Sequence, residues 1–180
     1  MENIEKTKFE LKLISGLKMD SLDSAEGILP KTEKGYIAQA EKKVYLDDDG
    51  NLAVPAGALH ACMREAVKNV SGRKQKQEVQ TLRSQLWIKP RMLTILPARK
   101  KHDGIGRDWV TRNTGTPKQT RVKTFRPFIK EGTIEGTIES IGLDRGYIKQ
   151  ILDNAGIRYG LLGHRPEYGR FEVTKFEEVR

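Results

Sequence analysis

Cysteine and histidine are scarce in this sequence. Cys62 is the one cysteine among 180 residues, so no intrachain disulfide can form and a zinc site built from several thiolates is excluded. The three histidines, His60, His102 and His164, lie far apart and lack the spacing of metal ligands. A Gly-Lys-Ser/Thr phosphate loop and a dinucleotide-binding glycine pattern are also missing. The sequence therefore predicts no metal site and no cofactor.

Long apolar runs are absent as well. No stretch approaches the ~20 apolar residues that span a bilayer, and no apolar segment of the signal-peptide type follows Met1. Apolar side chains make up 37% of the chain and charged ones 32%. These values and the length predict one cytoplasmic domain over residues 1–180, without a membrane partner.

Acidic side chains are rare in one segment. The whole chain has 33 Lys and Arg residues against 24 Asp and Glu residues, a net charge of +9. Residues 73–130 contain 16 of the basic side chains and three acids, Glu78, Asp103 and Asp108, so this segment carries +13 and the rest −4. Such separation favours a polyanionic partner, first nucleic acid and second a membrane surface, over a merely solvated loop.

Hydrophobic periodicity predicts the order of the main elements. Phe9, Leu11 and Leu13 alternate with charged residues, which is typical of a half-buried strand. The full pattern predicts strand, helix, strand, strand, helix and strand over residues 9–17, 55–70, 122–129, 132–141, 143–155 and 171–176. This βαββαβ order is that of an α+β, ferredoxin-like (RRM-like) fold.

Two segments are predicted as additions to that core. Residues 36–54 are expected to form a β-hairpin that turns at 47–51. The basic insertion, 73–120, is expected to begin with a short helix and two short extended pieces. Within it, residues 100–119 are predicted as a long irregular loop, because glycine and proline are frequent and apolar periodicity is missing. Trp87 is predicted to be a core residue.

A glycine-rich segment joins the second helix to the last strand. Its glycines permit close backbone approach, and its arginines and tyrosine offer charge and a stacking face: Gly160, Gly163, Arg165, Tyr168, Gly169 and Arg170. Such a loop can lie against a phosphate backbone. A tight turn in which the glycines serve only the chain path is the other interpretation.

The segment from Gly160 to Val173, Gly-Leu-Leu-Gly-His-Arg-Pro-Glu-Tyr-Gly-Arg-Phe-Glu-Val, resembles the C-terminal glycine-rich loop of the RAMP superfamily. These are the repeat-associated RNA-binding proteins of CRISPR systems. Leu52–Arg64 resembles a second signature of that superfamily, in which Ile-Pro-Gly-Ser-Ser-Leu-Lys-Gly-Ala-Leu-Arg runs into the first helix. The matching positions are Pro55, Leu59 and Arg64, whereas Ala58 replaces Ser and His60 replaces Lys.

The resemblance implies a backbone-type subunit that coats a guide RNA in an antiviral CRISPR effector complex. It implies a ferredoxin-like core whose first helix and basic insertion hold single-stranded RNA. It also implies an oligomer in which the thumb-like insertion, 73–120, contacts the next copy, with other effector subunits as further partners. A stand-alone or phage-borne relative would share the same residues.

The predicted nucleic-acid-binding residues come from the first helix, the basic insertion and the glycine-rich loop. They are His60, Arg64, Arg73, Lys74, Arg99, Lys100, Lys101, Arg107, Trp109, Arg112, Gly163, His164, Arg165, Tyr168 and Arg170. Trp109, between Arg107 and Arg112, is the best candidate for base stacking, because single strands bind to aromatic faces among cations.

Two other classes of function remain open. The chain could be an endoribonuclease, either metal-independent with His60 or His164 as general base or metal-dependent with Asp20 or Asp23. It could also be a phage-type DNA-binding or structural protein. We expect binding without cleavage, and hence no catalytic residue.

Overall fold

A computed structural model describes residues 4–21, 32–70, 75–112 and 120–179. These residues form a mixed α/β fold with two antiparallel sheets and four α-helices. The strands are β1 (Ile4–Leu13), β2 (Leu17–Lys18), β3 (Ala53–Pro55), β4 (Leu86–Lys89), β5 (Met92–Leu96), β6 (Gly104–Arg112), β7 (Thr120–Ile129), β8 (Thr133–Ile141) and β9 (Phe171–Glu178). The helices are α1 (Glu33–Ala40), α2 (Ala56–Ala66), α3 (Gln75–Gln85) and α4 (Arg145–Asn154). Within the described ranges, no helix has both the length and the apolarity to cross a membrane.

The first sheet has the strand order β3-β5-β8-β1-β9, and β4 also pairs with β8. Its inner strand β1 pairs antiparallel with both β8 and β9. Phe9, Leu11 and Leu13 are buried on one face of β1, while Lys8 and Lys12 are exposed on the other. The alternating pattern of this strand is therefore confirmed.

The buried face of the first sheet is covered by α2 and α4, which were both predicted. Helix α2 follows Pro55 and buries Leu59 and Met63, and a 3-10 turn at 67–69 extends it. The Asp144 side chain accepts a hydrogen bond from Tyr147 N at 2.8 Å and so caps α4. A π-helical turn over 155–159 then leads into the glycine-rich loop.

The opposite face of the first sheet is polar and of mixed charge. Lys6 and Lys89 lie 3.5 and 2.7 Å from the carboxylate of Glu139, and Lys175 lies 3.5 Å from that of Glu10. These pairs are cross-strand neighbours that neutralise one another. This face therefore offers little net positive charge to a nucleic acid.

Trp87 lies on this polar face, so its prediction as a core residue is wrong. Its side chain is 42% exposed, and its register partner in β8 is Glu139. Successive side chains of a strand point to opposite faces. Because Leu86 is buried, its neighbour Trp87 points outward.

The second sheet has the order β2-β7-β6 and corrects the prediction of an irregular loop over 100–119. Residues 104–112 form β6, which pairs with β7 along its whole length. Gly104 and Gly106, which suggested a loop, lie within this strand. At Gly106 an added Cβ would lie 2.9 Å from Lys18 Cε, so the glycine makes room for the Lys18 side chain, which reaches across β7 from β2.

The predicted strand before the turn at 47–51 is also wrong, because residues 33–40 form α1. The Thr32 hydroxyl accepts a hydrogen bond from Gly35 N at 3.2 Å and caps this helix. The turn itself is confirmed by a bridge between Leu46 and Leu52. The extended pieces β4 and β5 both join β8 in the first sheet. Residues 122–129, predicted as the second strand of the core, instead belong to β7 in the second sheet, so that prediction is wrong. The boundaries of the insertion, 73–120, stay a prediction.

Candidate nucleic-acid interface

The glycine-rich loop, residues 160–170, is attached to the segment that contains β2. Gly163 N donates to Lys18 O at 3.0 Å, and Gly169 N donates to Gly16 O at 2.7 Å. A Cβ on Gly169, which has φ +79°, would collide with the carbonyl oxygen of Leu161. One on Gly163 would lie 3.2 Å from Lys18 O. The close approach that these two glycines permit is therefore an approach to the protein's own backbone.

A buried ion pair lies beneath the loop. Lys18 Nζ is 2.5 Å from Asp108 Oδ1, and the two side chains are 3% and 12% exposed. The same ammonium lies 3.5 Å from the centre of the Tyr168 ring, a cation–π geometry. Asp108 Oδ2 is buried and has no hydrogen-bond partner among the described residues. Lys18 was not identified as a site residue from the sequence. Its position as a single charged residue between the apolar Leu17 and Met19 could have indicated a buried charge.

His164 takes part in this cluster from a left-handed backbone conformation. Its φ is +62° and that of Leu162 is +58°. For residues with a Cβ this conformation costs roughly 1–2 kcal/mol each. It brings the His164 ring to 6.1 Å from the Tyr168 ring and its Nε2 to 3.8 Å from Asp108 Oδ1. The loop geometry thus directs His164 toward an acid and an aromatic ring.

Asp20, one of the two candidate cleaving aspartates, is engaged by cations. Its carboxylate oxygens lie 3.0 Å from Lys43 Nζ and 3.0 Å from Arg126 Nε. Burial opposes ionisation, but the hydrogen bond from Lys43 and the charge of Arg126 outweigh it and hold the pKa of Asp20 below its usual value. Asp20 is therefore ionised and paired. The other candidate, Asp23, lies outside the described residues.

His60 and Cys62 of α2 have polar atoms that point into the protein. His60 Nε2 lies 3.2 Å from the carbonyl oxygen of Leu82 and donates to it. Burial lowers the pKa of His60, so its ring is neutral at pH 7. Cys62 Sγ donates to the carbonyl oxygen of Gly160 at 3.1 Å, and burial raises the pKa of this thiol to about 12. Its neighbour Arg64 is half-buried.

The hairpin β6–β7 presents cations and aromatic rings on one surface. Register pairs Arg107 with Phe125 and Trp109 with Lys123, so their side chains share a face. Trp109 is 66% exposed. Tyr36 of α1 stacks on Phe125 with ring centres 6.1 Å apart and planes at 15°. We call these five residues the hairpin face.

Glu33 of α1 lies at the edge of the hairpin face and bridges its two cations. Its carboxylate oxygens lie 3.3 Å from Arg107 Nη1 and 3.1 Å from Lys123 Nζ. Exposed ion pairs of this kind contribute about 0–1 kcal/mol each. A phosphate can therefore replace the carboxylate of Glu33 at small cost.

The remaining predicted residues fall into separate groups. Lys100 and Lys101 are exposed ahead of β6, whereas Arg99 binds both carboxylate oxygens of Asp103 at 2.9 and 3.1 Å. Arg165 pairs with Glu65 at 3.3 Å, and Arg170 Nε donates to the carbonyl oxygen of Pro166. Three predicted binding residues have side chains that the structure does not describe: Arg73, Lys74 and Arg112. The structure thus brings the loop residues together but keeps them apart from Trp109.

The fold is similar to those of solved structures. The chain aligns over 98% of its length with a chain of the "Cryo-EM structure of the Type III-B Cmr-beta bound to cognate target RNA", at TM-score 0.53 and 13% sequence identity. The fold is RAMP-like.

The chain spans 61% of the length of that Cmr-beta chain. It also aligns over 96% of its length with 99% of Cmr6 from Pyrococcus furiosus, at TM-score 0.49 and 11% identity. No protein-family model and no curated protein matches the sequence.

Proposed function

We propose that this protein binds single-stranded RNA as a backbone-type subunit of a CRISPR-type effector complex. The observation that carries the proposal is the hairpin face on a RAMP-like fold, where Trp109 is exposed between Arg107 and Lys123. Aromatic faces stack with unpaired bases of any sequence, and neighbouring cations hold the phosphates. The uneven charge, with +13 on residues 73–130, supports the same partner.

A ferredoxin-like core is part of this proposal. In the first sheet β9, β1 and β8 are adjacent, and β4 and β5 together occupy the next position. With α2 and α4 on one face, this arrangement supports a βαββαβ core in which the second strand is divided. The parts of the segment 73–120 that lie outside β4 and β5 then act as insertions in a single domain, 1–180.

The proposed setting follows from the same function. The protein lies along a guide RNA beside copies of itself and other effector subunits, in the cytoplasm, and serves antiviral defence. The similar Cmr-beta structure is bound to its cognate target RNA, which supports RNA as the nucleic acid. The polar, charge-neutral face of the first sheet supports placing the RNA on the hairpin side.

Replacement of the two tryptophans tests the proposal. We expect Trp109→Ala to weaken binding of a fluorescently labelled oligouridine by about 1–3 kcal/mol, the range measured for one base–aromatic stack. Trp87→Ala is the matched control, because Trp87 is exposed on the polar face of the other sheet. Fluorescence anisotropy measures both affinities. Equal effects of the two substitutions would contradict an interface at the hairpin face.

The same labelled oligonucleotides separate binding from cleavage and RNA from DNA. Labelled RNA incubated with the protein, with and without Mg²⁺, should remain intact. Cleavage that disappears in His164→Ala would instead identify an endoribonuclease, with His164 as the general base. An oligodeoxythymidine that binds as tightly as oligouridine would indicate that the 2′-hydroxyls are not recognised, and would favour a DNA-binding protein.

A further inference from the structure

A basic groove lies on the side of the glycine-rich loop where α2 ends. It has a volume of about 450 Å³ and opens between the loop, the end of α2 and the π-helical turn. Its cationic side chains are Arg126, Arg158 and Arg165, with His164 beside them, and its one acid is Glu65. Neither Arg126 nor Arg158 was among the residues expected from the sequence to bind nucleic acid.

The three arginines of this groove differ in their partners. Arg126 is held by Asp20 at 3.0 Å, and Arg165 lies 3.3 Å from Glu65 in an exposed pair. Within the described ranges, Arg158 has no hydrogen-bond or ion-pair partner. Arg158 is exposed and lines the groove, so its positive charge there is not neutralised by a paired acid of the described part of the chain.

We propose that this groove binds a phosphodiester group of the RNA through Arg158 and Arg165. Guanidinium groups present planar pairs of N–H donors that fit phosphate oxygens. Arg165 Nη2 already donates to the carboxylate of Glu65 at 3.3 Å, so the phosphate replaces Glu65 at that donor. This inference rests on the proposed function, since it assigns a second contact to the same RNA, separate from the hairpin face.

Loss of Glu65 and loss of Arg158 should change the affinity for RNA in opposite directions, and both changes can be measured. We expect Arg158→Ala to weaken oligouridine binding at least fivefold. Log K should also fall less steeply with log salt, by about 0.7 in slope, which is the value for one phosphate on a single strand. Glu65→Gln should tighten binding, because the competing carboxylate is gone. The matched control is Arg145→Ala, which removes an exposed arginine from the same region of sequence, where it pairs with Glu178.

Three outcomes of these affinity measurements would overturn the proposal. An Arg158→Ala protein that binds like Arg145→Ala shows that no phosphate contacts the groove. A Glu65→Gln protein that does not bind more tightly shows that Glu65 does not compete with the ligand. If only 5′-phosphorylated RNA responds to Arg158→Ala, the groove binds a terminal phosphate instead of a phosphodiester. Circular dichroism and thermal melts confirm that each variant is folded.

Comparison with the hairpin face distinguishes a failure of this proposal from a failure of the proposed function. If Trp109→Ala weakens RNA binding and Arg158→Ala does not, the groove assignment is wrong and RNA binding stands. If the unmodified protein fails to bind oligouridine at all, the proposed function is wrong and the groove assignment falls with it.

Discussion

Gly169 illustrates, at the level of single residues, how tightly the glycine-rich loop packs. It is buried, its φ is +79°, and a Cβ would overlap the carbonyl oxygen of Leu161. Gly50 has a similar φ of +76° but open space around it. Comparison of the two positions separates backbone strain from steric overlap.

We expect Gly169→Ala to lower the free energy of unfolding by at least roughly 2 kcal/mol, because strain and overlap add. Gly50→Ala should cost only about 1 kcal/mol, since strain acts alone there. Urea denaturation measures both values. Equal losses would show that the loop relaxes around the added methyl group and that its glycines are not fixed by packing.

Asp20 makes a contribution to stability that depends on pH. Burial disfavours its charge, but Lys43 and Arg126 outweigh burial and hold the pKa of Asp20 below its usual value in the folded state. The unfolded state therefore takes up the proton first as pH falls. The contribution is fully present above the unfolded pKa of about 4. It is lost as pH falls through the lower folded pKa.

Without the Asp20 carboxylate, the free energy of unfolding should depend less on pH in the acid range. We expect Asp20→Asn to lower the free energy of unfolding at pH 7 and to reduce its further loss between about pH 5 and pH 2. Urea titrations at several pH values measure this difference. An unchanged pH dependence in Asp20→Asn would mean that other carboxylates account for the acid sensitivity.

The linkage between β2 and β6 belongs to the scale of elements. Strand β2 has two residues, and its Lys18 reaches across the second sheet to Asp108 of β6. The glycine at position 106 leaves space for the lysine chain. The pair lies beneath Tyr168, so it connects the hairpin to the glycine-rich loop.

Removal of one partner leaves the other charge buried and unpaired. We expect Asp108→Asn to cost about 3–5 kcal/mol of stability, as for other broken buried pairs. The double variant Lys18→Met/Asp108→Leu should recover most of that loss, because it leaves no buried charge. Chemical denaturation of the single and the double variant measures both losses. A cost below about 1 kcal/mol for Asp108→Asn would mean that this pair contributes no more to stability than an exposed ion pair.

For the whole molecule, the relevant feature is the distribution of charge. Lys100 and Lys101 are exposed ahead of β6, while Arg99 is bound to Asp103 and supports the turn. The lysines of β1 lie on the mixed-charge face of the first sheet. The affinity for RNA on the hairpin side should depend on Lys100 and Lys101 and not on the lysines of β1.

We expect Lys100→Gln/Lys101→Gln to reduce the salt dependence of oligouridine binding by about 0.7 in log–log slope for each phosphate that these lysines neutralise. The control is Lys8→Gln/Lys12→Gln, which removes the same charge from the first sheet and should leave the slope unchanged. Anisotropy titrations between low and physiological salt measure both. Similar slopes for the two double variants would indicate that only net charge matters.

Local patterns in the sequence predicted several elements correctly. Period-two alternation located β1, and apolar faces located α2 and α4, because these periodicities depend on near neighbours along the chain. Strand β6 and helix α1 were not predicted, because they depend on contacts between residues far apart along the chain. Gly104 and Gly106 are weak strand formers, and they are held in a strand by pairing with β7.

The sequence by itself determined the glycine-rich loop, the basic segment and Trp109 as candidate RNA contacts, since composition and motif are properties of the chain. Only the tertiary structure decided which charges are available to a ligand. Lys18 and Asp108 are 90 residues apart, and Arg126 and Asp20 are 106 apart, yet both pairs are in contact. Arg158, by contrast, has no partner within the described ranges. Coulombic attraction and desolvation depend on distance and burial in space, which residue order does not give.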